Sequence, residues 1–106
     1  MADQFECRIS KHQISSGCLY IPTRVRPVFP KGYDKAEIHV IFDDEEEPRS
    51  LTYDPYNHIV WGLRNWHNSH GAKIGDLVIV EPLAKDSVPP SYRFRFEKQT
   101  KVPLPG

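Results

Sequence analysis

The chain has 106 residues, equal numbers of basic and acidic side chains (14 each), and ten prolines, about twice the usual share of roughly 5%. Its length fits a single domain, and no apolar run approaches the roughly 18 residues that a membrane span needs. The opening residues Met1-Ala2-Asp3-Gln4 lack the basic and apolar parts of a secretory signal, so a cytoplasmic place is expected, or a nuclear one in a eukaryote.

Residues 4–10 alternate, with Phe5, Cys7 and Ile9 on one side and Glu6, Arg8 and Ser10 on the other, which predicts a half-buried strand. Residues 11–17 read as a polar loop closed by Gly17. A second strand follows at 18–21, stopped by Pro22, and residues 23–26 fit one helical turn that Pro27 and Pro30 keep short. Cys7 and Cys18 fall in apolar strands, and without an export signal they are expected as buried free thiols.

A third strand is expected at 37–42, with Ile38, Val40 and Phe42 facing one way. The acidic run 43–47 then makes a solvated hairpin, and 50–53 a fourth strand. Asp54-Pro55-Tyr56-Asn57 is a turn signal, because proline presets φ and the flanking Asp and Asn bond locally. A fifth strand is expected at 58–61. Leu63, Trp66, His67 and His70 then recur at helical spacing, and Gly71 supplies the left-handed residue that ends such a helix. Gly75-Asp76 makes another turn before a Val-rich sixth strand at 76–81. A seventh strand at 91–97 sends Tyr92, Phe94 and Phe96 inward and Arg93, Arg95 and Glu97 outward, and the tail 98–106 is expected to fray. Short strands and at most two short helices make a mainly β chain, a barrel or a sandwich.

The neutral total conceals an order. Residues 1–32 carry five basic and two acidic groups, 33–56 two basic and eight acidic, and 57–106 seven basic and four acidic. Such a chain can present one basic and one acidic face. Catalytic signatures are missing: there is no Gly-x-Ser-x-Gly, no phosphate-binding glycine loop and no His-Glu-x-x-His. His67 and His70 have zinc-like spacing but no second ligand pair to match. No enzyme activity, cofactor or metal is expected. Two polar stretches suit recognition better: Lys11, His12, Gln13, Ser15 and Ser16 in one, Asp54, Tyr56, Asn57 and His58 in the other. Such side chains match donors and acceptors on base edges, while Arg24, Arg26 and Arg64 could neutralise phosphates.

The order Leu19-Tyr20-Ile21-Pro22, Phe29-Pro30, Gly62-Leu63-Arg64-Asn65-Trp66 and Gly75-Asp76-Leu77-Val78 resembles the DNA-binding pseudobarrel. The nearest likeness is to plant B3 domains and the target-recognition domains of certain restriction endonucleases, and it spans residues 4–97. That resemblance implies one B3-like domain over 1–106, a seven-stranded open pseudobarrel with two short helices. It also implies two recognition arms in the major groove of double-stranded DNA. By position these are Arg8 to Gly17 and Tyr53 to His58, which contain both polar stretches. The implied function is sequence-specific recognition for a restriction-type system or a regulator, with any nuclease in another domain or subunit. The competing expectation is a protein-interaction β-barrel that meets a basic partner through its acidic hairpin.

Overall fold

The computed structural model describes residues 4–84 and 86–98. The alternating segments form β1 (Phe5–Arg8), β2 (Cys18–Tyr20), β3 (Ala36–Phe42), β4 (Arg49–Asp54), β5 (Ile59–Trp61), β6 (Leu77–Ala84) and β7 (Ser91–Glu97). They make one sheet in the order β1-β6-β7-β3-β4-β5-β2. Only the β3–β7 pair is parallel; the other neighbours run antiparallel. The sheet curls into a nearly closed pseudobarrel, mainly β as expected, with β1 and β2 as its two edges.

Inward residues of these strands fill the barrel. Ile38, Val40 and Phe42 of β3 and Tyr92 and Phe94 of β7 are buried, while Arg93 and Arg95 face out. Each end has an aromatic plug. At one end Phe29 stacks on Tyr92 with ring centroids 4.4 Å apart and leans on Tyr53 at 4.9 Å. Tyr92 OH donates to Val28 O, 2.6 Å away, which ties the same segment down. At the other end α2 (Arg64–Ser69) buries Leu63, Trp66 and His67, and Trp66 lies 4.8 Å from Phe42. Burying each such aromatic removes about 150–250 Å² from water, which makes these plugs large contributors to the core.

Several expectations needed correction. The polar stretch 11–17 is not a loop: Lys11–Ser16 is an α-helix, α1, closed by Gly17 at φ +68°. The expected helical turn at 23–26 continues into a 3₁₀ turn, Arg26–Val28, with Pro27 in its first positions, where a missing N–H costs nothing. β6 runs past Glu81 to Ala84 and bulges between Pro82 and Ala84, the usual way for a strand to hold a proline. The expected helix face holds, except that His70 is only half-buried. Both cysteines are buried and free, and burial pushes the Cys7 thiol up to about 12 against the pull of Arg24. Lys98 donates its ammonium to Gly71 O at 2.9 Å, and the rest of the expected frayed tail lies outside the described residues.

Candidate nucleic-acid interface

The first arm is α1. Lys11, His12 and Ser15 are exposed on it, Ser16 is half-buried and Gln13 is buried. The Gln13 amide nitrogen donates to Ser10 Oγ at 3.1 Å and to Arg8 O at 3.4 Å, and its carbonyl accepts Tyr20 N–H at 2.9 Å. Gln13 therefore faces inward and positions the helix, while its neighbours face solvent. Gly17 ends the helix where no side chain fits. Besides its left-handed φ, a Cβ there would lie 2.6 Å from Arg64 Cβ and 2.9 Å from Arg64 backbone. Arg64 is exposed at the start of α2 and donates to Ser15 O at 3.3 Å, which joins the two helices.

The second arm is the turn between β4 and β5. Asp54 is buried at its base. One carboxylate oxygen accepts the Tyr56 and Asn57 N–H groups at 2.9 and 3.2 Å, and the other accepts Asn57 Nδ2 at 2.9 Å. The Asn57 bonds chiefly hold this carboxyl below its ordinary range. Asp54 thus shapes the turn through three hydrogen bonds within it. Tyr56 and Asn57 stand exposed at the tip. His58 is a non-glycine residue at φ +61°, fixed by His58 N→Asp54 O at 2.7 Å and Ile21 N→His58 O at 2.8 Å.

β2 joins the arms. Its last residue, Tyr20, pairs with Ile59 next to His58, and its ring lies 5.9 Å from that of His12 on α1. Along this seam runs a groove of about 480 Å³ lined by Glu6, Arg8, Gln13, Tyr20, Arg24 and Arg26. Arg24 spans the gap by donating to Glu6 O at 2.6 Å, and Arg26 Nε donates to Ile21 O at 3.0 Å. Arg26 also lines a second hollow of about 630 Å³ beside the other arm, with Lys31, Tyr33, Tyr56 and His58. One arginine is thus shared by two hollows that together run from α1 to the second arm. Sequence reasoning missed Lys31 and Tyr33; the only available signal was an aromatic side chain in a glycine-bounded polar turn.

The acidic run lies elsewhere. β4 leaves it at Arg49 and reaches the second arm at Asp54, five residues on and about 17 Å away. Asp43 Oδ2 accepts Phe96 N–H at 3.0 Å, and Oδ1 lies 3.7 Å from His70 Nε2. Arg49 pairs with Glu45 at 2.8 Å. Ligand atoms of Asp43, Asp44 and His70 lie within 4.8 Å of one another, close enough to share a cation. They sit at the barrel end opposite the second arm, where exposed carboxylates are ordinarily only hydrated. No described helix is long and apolar enough to cross a membrane.

Comparison with solved structures finds the same fold in two plant proteins. An Arabidopsis FUS3 chain from a complex with DNA matches with a TM-score of 0.69 and 18% identity, over 91% of this chain and 97% of that one. A hypothetical Arabidopsis thaliana protein matches with a TM-score of 0.61 and 15% identity, over 96% of both chains. No family model and no curated protein matches the sequence.

Proposed function

We propose that this pseudobarrel binds double-stranded DNA, with α1 and the 54–58 turn entering the major groove side by side. One observation carries the reading. Gln13 of the first arm lines a groove with Arg8, Arg24, Arg26 and one carboxylate, Glu6; Arg26 also lines the hollow beside the second arm, and the acidic run lies at the far end of the barrel from that arm. Such a separation of charge lets a neutral chain present a basic face to DNA. The fold shared with FUS3, which was solved with DNA, supports the same reading.

Roles follow from exposure. Lys11, His12, Ser15 and Ser16 on α1, and Tyr56, Asn57 and His58 on the turn, contact base edges or sugar–phosphate. Arg8, Arg24 and Arg26 take phosphates, and Arg64 is a peripheral backbone contact beside α1. Gln13 and Asp54 hold the two arms in shape. Asn57 has given one amide hydrogen to Asp54, which leaves one donor and its carbonyl, the pair that reads adenine N7 and N6. Recognition of this kind serves a restriction-type system or a regulator, in a bacterial cytoplasm or a nucleus. Any cleavage belongs to another domain or subunit.

The test is a binding titration of short duplexes at several salt concentrations. Log affinity should fall with log salt by roughly 0.9 per phosphate neutralised, giving a slope on the order of −3 to −5. Flat salt dependence, or no binding at low salt, removes the reading. A pull-down that depends on residues 43–47 and not on the arms would favour a protein partner instead.

A further inference from the structure

The hollow beside the second arm has a chemistry that paired DNA does not use. Tyr33 and Tyr56 are 83% and 67% exposed, with ring centroids 6.2 Å apart and planes tilted by 44°. The two rings form one contiguous exposed aromatic surface, the kind of patch that marks a binding site more often than a lone exposed ring does. Arg26 and Lys31 line the same hollow, so a planar group entering it would meet two rings and two cations together. Bases inside a duplex are covered above and below by their neighbours, and they offer edges but no faces. Tyrosine rings stack on faces.

The hollow also has a fixed wall. His58 lines it from the left-handed region at φ +61°, held there by two backbone hydrogen bonds and by Tyr53 OH within 3.5 Å of its Nδ1. Strain of this kind persists where the surroundings over-determine it, often at ligand-holding positions. A volume of about 630 Å³ falls within the usual range for small-ligand sites, roughly 300–1,000 Å³.

We infer that this hollow holds a single unpaired nucleobase of DNA seated on the two arms, stacked on Tyr33 with the tilted ring of Tyr56 against its edge and its phosphate between Arg26 and Lys31. The inference rests on the DNA reading above and extends it to a ligand class, a strand with one base out of the stack. Tyr33 and Lys31 thereby become part of the interface, from a loop outside both arms.

Affinity for three random-sequence duplexes at low salt tests this: fully paired, with one bulged adenine, and with one bulged abasic nucleotide. The adenine bulge should bind more tightly than the paired duplex by roughly five- to hundredfold, the range for one base stacked on an aromatic side chain. The abasic bulge should gain little, since it bends the duplex without supplying a face. In Tyr33→Ala the ratio of bulged to paired affinity should fall to about one, and Tyr33→Phe should restore it. Tyr33 is so exposed that neither change threatens folding. Equal binding of the three duplexes overturns the inference and leaves the DNA reading standing. A bulge preference that survives Tyr33→Ala, or that the abasic bulge shares in full, overturns it as well. Failure of all three to bind overturns the DNA reading itself.

Discussion

The side-chain carbonyl of Gln13 accepts the backbone N–H of Tyr20 at 2.9 Å, inside the gap between the two edge strands. Its amide nitrogen reaches Arg8 O on the other edge at 3.4 Å. One buried side chain therefore bridges β1 and β2, which share no ladder in the sheet, and anchors the first arm to both. Gln13→Ala would leave Tyr20 N–H and Arg8 O without these part-buried bonds, a loss of about 0.5–1.5 kcal/mol for each. Urea denaturation should show a lower midpoint with an unchanged slope. DNA affinity should fall too, as α1 loses its anchor. An unaltered midpoint would show that the seam is held by something else.

Gly17 makes the second demand on the same arm. Alanine there would have to adopt φ +68° and would also meet the Arg64 backbone at 2.9 Å, which cannot move aside as a flexible side chain could. Gly17→Ala should therefore cost more than the ~1 kcal/mol of an incompatible glycine replacement alone. Gly71→Ala, at a matching φ of +61° with only the Lys98 ammonium in reach at 3.6 Å, provides the comparison and should cost less. Thermal denaturation of the two variants side by side decides the point. Equal losses would mean that α1 and α2 can separate without penalty.

The strands were legible in the sequence because their inward residues are apolar and alternate, as in Ile38, Val40 and Phe42 or Tyr92 and Phe94. α1 was not, because its buried residue is the polar Gln13, and Ile14 is its one apolar side chain. A helix whose inner face is an amide leaves no hydrophobic period to read. The chemistry of the arms could be read from Lys11, His12 and Asn57, but their adjacency could not. Adjacency depends on β2 pairing with β5, forty residues on, while β1 pairs with β6 on the far side of the sheet. Likewise nothing in local spacing brings Arg8, Arg24 and Arg26 to one groove. Asp54 was expected to face a base; three hydrogen bonds of its carboxylate go to its own turn, the habit that made the turn recognisable.

His67 should make the fold acid-sensitive. It is fully buried, its Nε2 donates to Cys18 O at 3.0 Å, and its Nδ1 has no hydrogen-bond partner. Burial holds its pKa below the ordinary 6.5, with His70 adding to the effect and the Cys18 bond opposing it. Above pH 6.5 the ring is neutral whether the chain is folded or not, and stability is complete. Below that value the unfolded chain takes up a proton that the folded one refuses, so stability falls with pH until the folded pKa is reached. The slope from this group can be at most about 1.4 kcal/mol per pH unit. Denaturation midpoints from pH 7.5 down to 5 should decline in the parent and decline less in His67→Gln, where an amide can still donate to Cys18 O. Identical slopes would assign the sensitivity to other groups.

Arg26 and Asn57 should separate affinity from specificity. Arg26 lies where the two hollows meet, its Nε bonded to Ile21 O, so its charge is held over the path that a phosphate backbone would take between the arms. Arg26→Gln removes one cation while keeping a donor for Ile21 O. It should weaken every duplex alike and make the salt slope shallower by roughly 1. Asn57 stands at the tip of the second arm with one donor and one acceptor still available. Asn57→Ala should cost about 1–3 kcal/mol on the preferred site, relax discrimination at a single base pair and leave the salt slope alone. Part of that loss will come from the turn, because Asp54 loses the Asn57 amide. Asn57→Ser separates the two contributions, since serine can still donate to Asp54 but cannot make a bidentate contact with a base. If Asn57→Ser keeps full discrimination, the turn reads sequence through Tyr56 or His58 instead. If Arg26→Gln changes preference among sequences, the shared arginine is itself reading bases.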